Sequence, residues 1–199
     1  LGSGTFYGNK FTQIDLPDGI RVLDKSVFRA CSELVHVDLP RRVEIIDENA
    51  FAQCAKLKNM VFPDNLKRLG NNAFQGCVEL EYVCFTGDAP EFGAYVFPDK
   101  AITVYYPADN ATWTEAVRQN YGGNLTWVPH THEYVDWKCI FCGKPGPVDG
   151  TCGDGVRWIY EEETETLWIG GNGSVADYSG DEFQPWHGVK DIVSRLVVE

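Results

Sequence analysis

The chain is short of positive charge: 17 Lys and Arg stand against 29 Asp and Glu, a formal net charge of −12 in 199 residues. A surface that holds nucleic acid or an anionic membrane needs basic stripes, so both partner classes are excluded. Long hydrophobic runs are missing too, and without 18 consecutive apolar residues nothing here inserts into a bilayer as a helix. Methionine occurs once. No secretory leader is visible and residue 1 is Leu, so the chain is expected to be a processed form or an excised fragment. Catalytic signatures are absent as well: there is no G-x-S-x-G, Walker loop, H-E-x-x-H or dinucleotide glycine pattern. The four histidines, His36, His130, His132 and His187, are dispersed. The acidic run at 161–165 lacks the alternate ligands of a calcium loop and reads as a solvated turn.

What is present is a globular balance, 44% hydrophobic and 23% charged, with 13% aromatics, 20 Gly and 10 Pro. That composition favours short strands and many turns. Seven cysteines is an odd number for a disulfide framework, and three of them (Cys31, Cys54 and Cys77) recur at a fixed spacing of 23 residues. A period in this range marks a solenoid. Phe28, Phe51 and Phe74 repeat in step, as do Leu34, Leu57 and Leu80. Further columns are Ile14, Val37, Met60 and Val83, then Leu16, Leu39, Phe62 and Phe85, with Pro17, Pro40 and Pro63 directly after. Each unit therefore reads L-x-x-V-x-L-P, a second short V-x-x-I strand, and a helical or 3₁₀ turn A-F-x-x-C-x-x-L. A 23-residue unit cannot bury its own apolar side, so the units must stack around one core. The first unit is a residue shorter, with Asn9 in the cysteine place.

The segments VFRACSELVHVDLPRRVEIID and AFAQCAKLKNMVFPDNLKRLG resemble leucine-rich repeats of the BspA-like type. The resemblance covers the first half of the chain. It implies a leucine-rich-repeat solenoid of parallel short strands in a secreted or cell-surface bacterial protein of adhesive, host-interacting kind. The expected organisation is a solenoid of four to five coils over 1–106 and a cap of helix plus strand over 107–129. A linker at 130–149 and a small β-rich module at 150–199 follow. In the cap, Thr112-x-x-Glu115 reads as a capping box opening a helix over 113–120. In the module, 156–160 and 166–169 read as a hairpin, with Gly170, Gly171 and Gly173 as a further turn. This module is similar to one that precedes repeat blocks in BspA-like proteins. Val193, Leu196 and Val198 repeat the spacing of Leu34, Val37 and Leu39, as though a new coil begins there.

Identical positions in successive coils form rows across a face, and those rows are the candidate binding surface. On the first strand they are Gln13, His36, Asn59 and Tyr82, then Asp15, Asp38, Val61 and Cys84. On the second they are Arg21, Glu44 and Lys67, then Val22, Ile45 and Arg68. Such mixed rows suit a protein or glycan partner through many weak contacts. A structural spacer holding other domains away from the cell is the alternative. No cofactor is expected beyond a candidate structural zinc at His130, His132, Cys139 and Cys142. Its Cys-x-x-Cys knuckle would serve equally as a disulfide or a pair of free thiols. Cys31, Cys54 and Cys77 are expected to be buried thiols packing as small hydrophobes.

Overall fold

The computed structural model describes residues 1–131, 134–135, 138–139, 149–161, 165–175 and 193–198. It divides into two compact units, Leu1–Thr131 and His132–Glu199. With strands numbered in chain order, four coils of the first unit contribute one strand to each of two parallel ladders. The first ladder is in two hydrogen-bonded pieces, β1 (Gln13–Asp15) with β3 (His36–Asp38), then β5 (Asn59–Phe62), β7 (Tyr82–Phe85), β9 (Ala101–Pro107) and β10 (Asn124–His130). The second holds β2 (Val22–Leu23), β4 (Ile45–Ile46), β6 (Arg68–Leu69) and β8 (Glu91–Phe92), paired in that order. The architecture is the expected parallel solenoid, with coil partners 23 residues apart, as in Gln13 opposite His36 and Asn59 opposite Tyr82.

The sequence pattern explains both ladders. In β5, Met60 and Phe62 point into the core while Asn59 and Val61 face out, the period of two that a half-buried strand requires. Proline follows because it cannot donate to the ladder. Its carbonyl then accepts the amide of the residue three places on, Pro40 from Val43 and Pro63 from Leu66, and this turn aims the chain into the second ladder.

The third side of each coil is a run of turns rather than a helix. Alternate amides bond outwards and backwards: Phe51 and Gln53 donate to Ala73 and Gln75 in the next coil, while Ala52 and Cys54 donate three residues back. Two residues per coil hold left-handed backbone, such as Asn49 (φ 58°) and Gln53 (φ 64°), and these interrupt any continuous helix. Inside this side the Phe rings stack coil on coil, with centroids 5.4 Å apart for Phe6–Phe28, 5.1 Å for Phe28–Phe51, 5.3 Å for Phe51–Phe74 and 6.0 Å for Phe74–Phe97. Phe28, Phe51, Phe74 and Phe97 are fully buried, each contributing about 1.5–3 kcal/mol by burial.

At the far end, two expectations are corrected. Residues 113–120 do not form the helix that the capping box implies. Thr112 Oγ1 accepts the amide of Ala89 in the preceding coil at 2.9 Å, and Trp113 Nε1 donates to the Gly87 carbonyl at 3.0 Å. The first of these bonds takes the hydroxyl a cap would use, and one turn (Arg118 to Thr114) remains. The strand of the expected cap is itself a further rung of the solenoid: β10 pairs with β9 over seven residues. Phe85, Phe92, Tyr106, Trp113, Tyr121 and Trp127 pack together there, with the Arg118 guanidinium 5.2 Å from the Tyr106 ring centre.

In the second unit, β11 (Tyr134–Val135) and β12 (Lys138–Cys139) pair antiparallel, and so do β13 (Asp149–Glu161) and β14 (Thr166–Val175). Cys152, Val156, Trp158, Tyr160, Leu167 and Ile169 form its core. The glycines at 170, 171 and 173 are strand, not turn. They lie in β14 opposite a bulge between Asp154 and Val156, where a Cβ on Gly171 would overlap the Gly155 carbonyl and one on Gly173 the Asp154 carbonyl. Close backbone approach is what selects glycine here. Finally, β15 (Arg195–Val198) adds to β14 in parallel.

Candidate functional site

The outward face of the first ladder gathers the first set of candidate residues. Gln13 stands opposite His36, and Asp15 opposite Asp38, on β1 and β3; Asn59 stands opposite Tyr82 on β5 and β7. The structure does not join the rows into one continuous sheet, since β1–β3 and β5–β7–β9–β10 are separate pieces of that ladder among the described residues. Gln13, His36, Asp15 and Asp38 are exposed, and Asn59, Val61 and Tyr82 half-buried. His36 Nε2 lies 3.0 Å from Asp38 Oδ1 along the same strand. Among the described residues, Gln13, Asp15 and Asn59 form no side-chain bond to a neighbouring coil.

The rows continue further than their spacing suggested. Tyr82 is followed by Thr103, 21 residues on, and Thr103 by Thr126; Cys84 is followed by Tyr105 and Val128. The coil between β7 and β9 is two residues short, so the 23-residue column points to the wrong residue there. Cys84, read as outward, is fully buried. It lies 3.9 Å from His130 Nε2, and Tyr105 meets the same ring edge-on.

The second ladder's candidates behave differently, because they engage one another. Glu44 binds both Arg21 of the coil before and Lys67 of the coil after, the latter at 2.8 Å. Arg68 reaches Asp47 at 3.2 Å. On the turn side Lys25 pairs with Glu48 at 3.2 Å and Lys56 with Glu33 at 2.6 Å. Hydrogen bonds from Lys67 and Arg21 hold the Glu44 carboxyl below its ordinary range, and Lys56 does the same for Glu33. These charges form an exterior ladder from coil to coil, so the charged ends of Arg21, Glu44, Lys67 and Arg68 are each paired within the protein.

The buried row is a second ladder of contacts, this one of thiols. Cys31, Cys54 and Cys77 are free and fully buried, and each lies within hydrogen-bond range of a carbonyl one coil back. The acceptors are Phe6, Phe28 and Phe51 at 3.0, 3.2 and 3.2 Å. Burial pushes the Cys77 thiol up to about 12, and Cys54 and Cys31 upward as well. These sulfurs stay protonated at neutral pH and make poor nucleophiles or metal ligands.

Of the four candidate zinc ligands, His132 and Cys142 lie outside the described residues, and Cys139 is described only as backbone in β12. His130 sits inside the last rung of the solenoid, with Nδ1 3.1 Å from the Tyr106 carbonyl. Among the described residues no group of three or more metal-ligating side chains converges. Trp158 is buried in the core of the second unit, and Trp137 and Trp186 lie outside the described residues.

Fold and rows together define a leucine-rich-repeat solenoid. The BspA type leucine rich repeat region matches residues 1–116 in six copies, and the chain belongs to that family. No curated protein matches it. Among solved structures, the pneumococcal vaccine antigen PcpA is similar at 17% identity and a TM-score of 0.50, over 65% of this chain and 38% of that one. A leucine-rich repeat protein from Bacteroides ovatus aligns at 23% identity and a TM-score of 0.41, over 55% of this chain and 29% of that one. The chain thus spans less than two fifths of either. No helix of the described residues is long and apolar enough to cross a membrane.

Proposed function

We propose that this chain is a non-catalytic binding segment of a bacterial surface or secreted protein, engaging a protein or glycan across the outward face of its first ladder. One observation carries the choice of face. The second ladder's charges are tied to one another from coil to coil, whereas Gln13, Asp15 and Asn59 extend from the first ladder with no cross-coil bond among the described residues. Groups already paired must break that pairing to contact a partner, and groups facing water need only exchange it. Family membership and the likeness to a vaccine antigen support the surface location.

The test is an array of matrix proteins and glycans probed with the whole chain. A hit lost on Gln13→Ala with Asn59→Ala and Tyr82→Ala, and kept on Lys67→Ala with Arg68→Ala, supports this face. The reverse pattern moves the site to the second ladder. A blank array favours the spacer reading, which the continuous Phe stack and the ion-pair ladder also suit, since both stiffen the coil.

A further inference from the structure

The turn side of the solenoid carries a tyrosine that its backbone does not favour. One position in each coil there is left-handed: Gly4 (φ 64°), Ser26 (57°), Asn49 (58°), Asn72 (56°) and Tyr95 (54°). Glycine and asparagine adopt this conformation readily, and a bulky residue seldom does. Tyr95 is 66% exposed, so burial in the core does not account for it. Among the described residues its side chain makes no hydrogen bond and no ring contact. The next coil makes room for it all the same. Gly122 (φ 91°) passes so close that a Cβ there would lie 2.8 Å from the Tyr95 Cα and 3.3 Å from its Cβ.

The groups beside Tyr95 are carboxamides. Main-chain bonds stack the left-handed row, from Asn49 to Asn71 at 3.0 Å and from Asn72 to Ala94 at 2.9 Å. Asn49, Asn72 and Tyr95 therefore stand in line, one per coil, about 4.8 Å apart. In the adjoining rows the Gln53 amide donates to the Gln75 carbonyl at 2.7 Å. The Gln53 side chain lies over Gly76, where an added Cβ would come within 3.3 Å of its Cγ. Gln53 and Gln75 are exposed, and Asn49 and Asn72 half-buried. Among the described residues Gln53, Asn72 and Gln75 have no side-chain bond, and Asn49 spends only its Nδ2, on Glu48 at 3.3 Å. None of these five side chains is charged, in a chain whose net charge is −12.

We infer that this patch is a second binding site, one for a neutral saccharide. Tyr95 stacks on the apolar C–H face of a sugar ring, and the carboxamides exchange hydrogen bonds with its hydroxyls. A sugar hydroxyl both donates and accepts, and a carboxamide does the same from adjacent atoms. An anionic sugar finds no cation among the five and meets the exposed Asp99, 23 residues on from Gly76. Protein partners anchor large side chains in desolvated pockets, and amides around one exposed ring offer none. The site is on the turn side, so it does not rest on the first-ladder reading.

An array of neutral oligosaccharides, their sialylated and sulfated counterparts and matrix proteins, probed with the full chain, tests this. Binding to a neutral sugar is expected, weakened about tenfold or more by Tyr95→Asn and further by Gln75→Ala. Asparagine is what the two preceding coils carry, so Tyr95→Asn should leave the urea midpoint level or raised. Gln13→Ala with Asn59→Ala and Tyr82→Ala should leave the sugar bound. If no neutral sugar binds, or Tyr95→Asn does not weaken the binding, the inference is overturned. A preference for acidic sugars or for a protein overturns it too. Sugar binding lost only with the first-ladder change overturns it while upholding that other face. A lowered urea midpoint for Tyr95→Asn assigns the ring to packing and ends the case for it as a contact.

Discussion

The inner and outer ladders join the same coils at the same period, yet they rest on opposite physics. Inside, Phe28, Phe51 and Phe74 stack out of water, and each cysteine thiol finds a carbonyl one coil back. Outside, Glu44 holds Arg21 and Lys67 in the open, where water and salt compete for every charge. The difference teaches that repetition alone does not measure stability. An interior column acts through area removed from water, and an exterior one mostly sets which groups remain available to a partner.

The largest test of that contrast is Phe51→Ala. Removing a fully buried ring stacked on both sides should lower stability by about 3–5 kcal/mol in urea unfolding. A loss under about 1 kcal/mol would mean the stack is not what joins the coils. Next comes the second unit, where Gly173→Ala forces a Cβ onto the Asp154 carbonyl. A cost of about 1–3 kcal/mol is expected, visible as faster amide exchange in β13 and β14 with the solenoid unchanged. Equal effects in both units would show that the two do not unfold separately.

The thiol ladder should matter less and should reveal itself through pH. Cys54→Ala removes one hydrogen bond, a loss of about 1 kcal/mol. Because folding raises these pKa values above the ordinary value of 9.0, the folded state favours the neutral thiol. Stability is then full below pH 9 and falls as pH rises towards 12, since only the unfolded chain gains thiolate. The urea midpoint of the triple variant C31A, C54A and C77A should fall less across pH 9–11 than that of the unaltered chain. Parallel slopes would remove the thiols from the account. The smallest change is expected from Glu44→Gln, which ends both of its ion pairs. Its effect should fade in about 1 M salt, where screening reaches only about 3 Å. An effect that survives such salt would place Glu44 among the structural residues of the coil.

Much of the fold could be read from the residues because each column repeats one local demand. Val37, Met60 and Val83 alternate with outward neighbours, and Pro40 and Pro63 stop the strand in the same place each time. Legibility failed where a distant coil supplied the partner. Thr112 and Glu115 have the local pattern of a helix start, but Thr112 answers to Ala89 in the coil beneath. The glycines after Ile169 look like a turn until Asp154 and Gly155 are brought against them. Cys84 lies on the outward parity of its strand and is buried all the same, with His130 set close by from a strand two rungs on.

The candidate face was legible to the same extent. Parity and period select Gln13, His36, Asn59 and Tyr82 as outward, because side chains alternate along any strand. They could not separate those residues from Arg21, Glu44 and Lys67, which occupy equally outward rows. What the sequence alone determined is the period, the identity of the core columns and the side to which each strand residue points. All of these follow from bonds and spacings within one coil. Only the tertiary structure decided which outward groups are engaged and which are open, for a side chain's reach ends in the neighbouring coil about 4.8 Å away. Whatever waits there, a carboxylate for Lys67 and none for Asn59, lies 23 residues off in the chain.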